Sequence, residues 1–287
     1  MEVKLARADL ELLRDFLAAM DAANSTCFLV GAGARVLSFD HRWSLRGART
    51  TLDWDFAVHA ESWEHWAELT SRLLAGNPPK FTRGQAAHRF VHRSGSVLDL
   101  VPYGGIEAPT GEIKWPDRTR MAVHGFRASE GLREAVEVGA GLVVPIAAIT
   151  SLALLKLHAY RDRRARGERK DIQDFDWFLR HYESAGNEER VFVELADVVR
   201  DGRIEVRDAG ATLLGLDIAR SHASDAIEPT RPLLVEARDP WSRLIADLLV
   251  GSRGADDESH ERRVRDASAR FGAFELGLSI GAEGRGL

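Results

Sequence analysis

The chain has 287 residues, enough for one large or two ordinary domains with proper cores, and its 45% hydrophobic content is ordinary for a folded protein. A formal charge of -5 excludes a surface built throughout for DNA or RNA, and no apolar run reaches the length of a membrane span. Cys27 stands alone, which excludes an intrachain disulfide framework and any cysteine-based zinc cluster, and the amphipathic start at Met1-Glu2-Val3-Lys4 is unlike a signal peptide, so the expected compartment is the cytoplasm.

Leu10, Leu12, Leu13, Phe16, Leu17 and Met20 recur at helical spacing and predict an opening helix over about 9–24. A strand over 26–30 empties into Gly31-Ala32-Gly33, and a helix follows to about Arg42. Glycines at a strand end let backbone N–H groups approach phosphate oxygens, and the next helix N-terminus favours negative charge; a plain tight turn explains the same pair.

The next strand, Asp53-Trp54-Asp55-Phe56-Ala57-Val58, carries two acids at alternate positions, so Asp53 and Asp55 share one face while Trp54, Phe56 and Val58 share the other. A helix over about 61–74 ends at Gly76-Asn77-Pro78-Pro79, and short strands over 80–83, 88–92, 97–101 and 142–144 follow closely enough for hairpins, so the sheet is mixed. Asp99 lies in the middle of the apolar strand around Val97 and Val101. Three carboxylates on neighbouring strands are costly unless a cation neutralises them, and the expected cation is Mg²⁺, a hard ion that leaves positions open for substrate phosphates. Each acid also has a bland reading: Asp53 ends a strand, Asp55 pairs with Arg49, Asp99 is a satisfied buried acid.

Character changes near Pro145. Helices are predicted over 146–163, 171–182, 188–199, 206–221, 241–250 and 258–274, with a loose tail from Gly281, giving domains 1–145 (α/β) and 146–287 (helical). Lys156 falls on the apolar stripe of Ile149, Leu152, Ala153 and Tyr160, where it either snorkels or points its ammonium into a site. Asp171 and Asp174 open the next helix, where first-turn acids stabilise without further role. Two basic clusters, Lys80 to Arg93 and Lys156 to Lys170, read either as solvated charge or as contacts to triphosphate or RNA. His88 and His92 find no third ligand candidate nearby.

Gly31-Ala32-Gly33 after a strand, with Asp53 downstream, also fits the opening of a dinucleotide-binding fingerprint. That NAD reading lacks its third glycine and leaves Asp55 and Asp99 unexplained.

Gly31-Ala32, Asp53-x-Asp55, and Asp99 inside Leu98-Asp99-Leu100-Val101-Pro102-Tyr103-Gly104-Gly105 together resemble the nucleotidyltransferase domain of the DNA polymerase β superfamily. Lys114-Trp115-Pro116, Met121-x-x-x-Gly125-Phe126, Leu154-Leu155-Lys156-Leu157 and Lys170-Asp171-x-x-Asp174 extend the likeness to bacterial predicted nucleotidyltransferases, themselves similar to abortive-infection and toxin–antitoxin enzymes. The resemblance covers about Cys27 to Tyr182 and implies an α+β fold: a mixed sheet with flanking helices, then a helical domain. It implies transfer of a nucleoside monophosphate from an NTP to a hydroxyl of tRNA, protein or a small molecule, with an antitoxin as partner in the toxin-like members. It also implies two Mg²⁺ ions, or Mn²⁺, on Asp53, Asp55 and Asp99, which with Lys156 make the catalytic set. Gly31, Ala32, Gly33, Arg49, Thr51, Asp171 and Asp174 would hold the nucleotide. Ala32 stands where the family has serine, so one side-chain contact to phosphate is missing.

Overall fold

The structure, a computed structural model, describes residues 5–45, 53–251 and 257–284. The chain divides into two compact units, Met1–Leu152 and Ala153–Leu287. Among the described residues no helix is long and apolar enough to cross a membrane.

The first unit opens with α1 (Arg7–Ala22), whose Leu12, Leu13, Phe16 and Met20 fall on one helical stripe and are all buried. Strand β1 (Cys27–Val30) runs directly into α2 (Gly31–Arg35) and a π-helical stretch, Val36–His41. After β2 (Asp53–His59) comes α3 (Trp63–Leu73), begun by Ser62, whose hydroxyl accepts from the His65 amide at 3.2 Å. Then follow β3 (Phe81–Arg83), β4 (Arg89–His92), β5 (Val97–Tyr103), the hairpin β6 (Glu112–Lys114) and β7 (Arg120–Ala122), α4 (Phe126–Glu130), β8 (Glu134–Glu137) and β9 (Val143–Ile146).

Seven strands form one sheet in the order β3-β4-β5-β2-β1-β9-β8; β2 with β5 and β1 with β9 are parallel, and the other pairs antiparallel. The mixed sheet expected from strand spacing is therefore present. On β2 the large apolar residues Trp54, Phe56 and Val58 are buried against helices: Phe56 packs on Phe16 of α1 at 4.5 Å between ring centroids, and the Trp54 indole donates to Asp9 at 3.0 Å. Alternation then sends Asp53 and Asp55 to the other face. Three pieces were not foreseen, one of them the five-residue helix α4. β8 is an edge strand in which only Val136 is buried, and the β6–β7 hairpin is three residues a side, both too short for a periodicity signal.

The chain continues through α5 (Ile149–Arg163), within which the division into units falls. The second unit goes on with α6 (Lys170–His181), α7 (Glu188–Glu194), α8 (Ala196–Arg200), α9 (Ala209–Ser221), α10 (Ser224–Ile227), α11 (Arg231–Ala237), α12 (Arg243–Leu249) and α13 (Asp257–Glu283). The predicted helix 188–199 is broken at Leu195, and α10 and α11 lie where no helix was predicted. The predicted tail is also corrected: α13 runs on to Glu283 because Gly277 and Gly281 let it lie almost backbone to backbone on α9, where a Cβ on Gly277 would overlap the Thr212 carbonyl. Close packing there outweighs the poor helix propensity of glycine. Phe175 of α6 fills the centre between Phe271 (5.4 Å) and Phe274 (5.2 Å).

Candidate functional site

The sheet register decides where the acids go. Asp55 on β2 lies directly opposite Asp99 on β5, and residues in register on neighbouring strands share a face, so Asp53, Asp55 and Asp99 stand on the same side of the sheet. On the other flank, Val30, the last residue of β1, pairs with Asp55. Gly31 therefore enters α2 right beside that carboxylate. Its φ of +68° and the space around it both require glycine, since a Cβ would overlap the Asp55 carboxylate. Gly33, of the same trio, is used differently: its missing side chain makes room for the Trp54 ring, 2.9 Å from where a Cβ would sit. Ala32 lies between them in α2. Arg49 and Thr51 fall outside the described residues.

A cation already serves these acids. Arg89, the first residue of β4, lies opposite Asp99 in the β4–β5 hairpin and grips both of its oxygens: Nε to Oδ1 at 2.8 Å and Nη2 to Oδ2 at 2.5 Å. The same Nη2 reaches Asp53 Oδ2 at 3.0 Å. The hydrogen bonds to Asp99 push the guanidinium pKa further above its ordinary value; partial burial opposes this, and the charges of Asp99, Asp53 and Asp55 add to it. The Asp99 side chain is 9% exposed, against 37% for Asp53 and 40% for Arg89, so Asp99 is the covered member of the group. From the sequence Arg89 is merely one cation of a basic hairpin. The signal that identifies it is the Ser94-Gly95 turn, since Arg89 and Asp99 lie equally far from Ser94 and so face each other.

By donor chemistry the three carboxylates fit a hard divalent cation: oxygen ligands only, on one face of adjacent strands. Among the described residues no group of three histidine, cysteine, aspartate or glutamate side chains is drawn together as a metal centre. Two of the three acids here turn to Arg89 instead.

The second unit gathers its own predicted residues. Lys156 Nζ donates to Asp171 Oδ1 at 3.1 Å and Asp174 Oδ2 at 2.7 Å, and Arg163 takes the other Asp171 oxygen at 3.3 Å. Burial would lower the lysine pKa, but the charges and hydrogen bonds of Asp174 and Asp171 outweigh it and the net shift is upward. The surrounding basic run is largely paired within the fold: Arg164 is bidentate to Glu236 at 2.6 and 2.7 Å, Arg169 meets Asp247 at 2.8 Å, and Arg161 meets Asp162 at 3.0 Å. The hairpin cluster is similar, with Lys80 at 2.7 Å from Asp15. Buried His92 packs on Phe81 and meets the same Asp15 at 3.2 Å, which accounts for it without a metal. Cys27 is buried, and desolvation pushes its thiol up to about 12, so it is inert packing.

No family model matches the chain, and no curated protein matches it. Among solved structures it is similar to the antibiotic-resistance factor ANT(2'')-Ia, at 15% identity over 69% of this chain and 92% of that one, with a TM-score of 0.37. It is similar also to an antigenic nucleotidyltransferase-like protein from Paracoccidioides brasiliensis, at 17% identity over 68% of this chain and 93% of that one, TM-score 0.40. A CCA-adding enzyme in complex with ATP shares 16% identity over 95% of this chain and 67% of its own, TM-score 0.32. Likeness at this level decides nothing about chemistry, which rests on the residues of the chain itself.

Proposed function

We propose that this chain is a divalent-cation-dependent nucleotidyltransferase, moving a nucleoside monophosphate from an NTP to an acceptor hydroxyl with release of pyrophosphate. The observation that carries the reading is that Asp53, Asp55 and Asp99 stand on one sheet face beside the Gly31 strand end. Asp53 and Asp55 would hold two Mg²⁺ or Mn²⁺ ions and Asp99 one of them. When bound, such ions neutralise the triphosphate and stabilise both the attacking and the leaving oxygens of an in-line displacement. Asp99 would take the proton of the acceptor hydroxyl as its oxygen attacks the α-phosphorus. The bond from that phosphorus to the bridging oxygen breaks, and pyrophosphate carries the electron pair away. Gly31 lets the Asp55 carboxylate lie against the strand end, so that its backbone N–H groups would meet phosphate beside the acid. The acceptor is a hydroxyl of tRNA, protein or a small molecule, and a toxin role predicts growth arrest on expression that a cognate antitoxin relieves.

Asp55→Asn tests the reading. Pyrophosphate release from NTP with Mg²⁺ is abolished while the melting temperature changes by less than about 4 °C; retained release removes Asp55 from the chemistry.

A second reading is a nucleotide-binding protein without turnover, favoured by Ala32 in place of serine and by the grip of Arg89 on Asp99. It predicts thermal stabilisation by NTP and Mg²⁺ with no pyrophosphate released. The NAD reading loses its ground, since β1 and β2 are antiparallel and the parallel βαβ unit of that fingerprint is absent.

A further inference from the structure

We infer that Arg89 is the counter-ion of the carboxylate face in the cation-free protein, and that a divalent cation reaches Asp99 only by displacing it. The inference rests on the carboxylates being a cation site, as proposed above, and adds a residue to that site.

Three observations carry it. Arg89 occupies both oxygens of Asp99 and one of Asp53 at 2.5–3.0 Å. Asp99 has little exposure of its own, whereas Arg89 and Asp53 above it are each more than one-third exposed. The stem of the arginine also needs the space beside it: Gly84 lies so near that a Cβ there would fall 2.6 Å from Arg89 Cγ, and the Gly84 amide donates to the Arg89 backbone carbonyl at 2.8 Å. A glycine at that point leaves room for the stem on its way to Asp99.

A carboxylate has lone pairs for more than one partner, but a guanidinium fork directed at both oxygens of one acid uses its accessible edge. A divalent cation on the same edge would stand beside a second positive charge with little water between them. Arg89 is half-exposed and can swing into solvent when a cation arrives. Its grip therefore sets the concentration at which the site fills, and restores a neutralised face when the cation leaves.

Direct Mn²⁺ binding, followed by electron paramagnetic resonance and calorimetry, tests this without any turnover. Arg89→Met is expected to bind Mn²⁺ at least about tenfold tighter than the native chain, to melt lower without the metal, and to regain the difference when Mn²⁺ is added. Arg89→Lys falls between, because an ammonium cannot bridge both acids as the fork does. Asp99→Asn removes the gain in the Arg89→Met background. Gly84→Ala, which pushes the arginine stem aside while leaving every charge in place, is expected to tighten Mn²⁺ binding to a smaller degree, and it decides the matter if Arg89→Met does not fold. Mn²⁺ affinity unchanged or weakened in these variants overturns the exchange and makes Arg89 a permanent strut. Tighter binding with no pyrophosphate released by the native chain keeps the exchange and removes the transferase reading; release together with unchanged affinity does the reverse.

Discussion

The face around Arg89 and the cluster around Lys156 both set cations against carboxylates of neighbouring backbone, and they differ in how far water reaches them. In the first unit Arg89 and Asp53 are each more than one-third exposed, with Asp99 beneath at 9%. In the second unit Lys156, Asp171 and Asp174 are exposed by only 13%, 2% and 16%. A closed cluster of this kind is costly to open, because removing one partner leaves an uncompensated buried charge. An open one can exchange its cation for another. The same residue types are thus enclosed in one unit and open to water in the other, and exposure is what separates them.

That contrast can be broken most forcefully at Lys156. Lys156→Met is expected to destabilise the second unit by about 3–5 kcal/mol, because it removes the buried ammonium that Asp171 and Asp174 share. Urea denaturation measures it; a loss no greater than that of Arg89→Met would make the two clusters alike. Next in size, Gly31→Ala forces a Cβ into a backbone at φ +68° and against the Asp55 carboxylate. A cost of about 1–3 kcal/mol is expected from the strain, with loss of Mn²⁺ binding at the same time, so stability and cation binding fall together only in the first unit. The smallest effect sharpens the comparison through pH. The raised pKa of Lys156 means its stabilisation is fully present below the unfolded value of about 10.4 and is lost as pH climbs through the higher folded one. The stability gap between the native chain and Lys156→Met should therefore be level from neutral pH to about 10 and narrow only beyond. A gap already narrowing near pH 8 would show that the lysine is not held as its neighbours imply.

Much of the first unit was legible because strand alternation is a local property. Trp54, Phe56 and Val58 had to face a core, so Asp53 and Asp55 had to face away from it. The helical character of the second unit was legible too, from apolar spacing, but its joints were not. Leu195 interrupts a run whose spacing reads as continuous, and Gly281 reads as the start of a tail although it and Gly277 let α13 pack on α9. The role of Arg89 was hidden for a related reason. Its charge is visible in the sequence, but its opposite number depends on the register of a hairpin, and a slip of one residue would have turned it to the other face.

By itself the sequence determined which residues could do chemistry: three aspartates, two of them on one strand face, a glycine at a strand end, and a lysine on an apolar stripe. Those follow from side-chain type and from periods of two and 3.6, which need no partner segment. Only the tertiary structure decided which charges meet. It paired Asp99 with Arg89 across one hairpin, set Asp55 against Gly31 across another pair of strands, and enclosed Lys156 between Asp171 and Asp174. The reason is that an ionic contact is fixed by the distance between segments in space, and that distance is set by register and packing, on which the order of residues along one segment is silent.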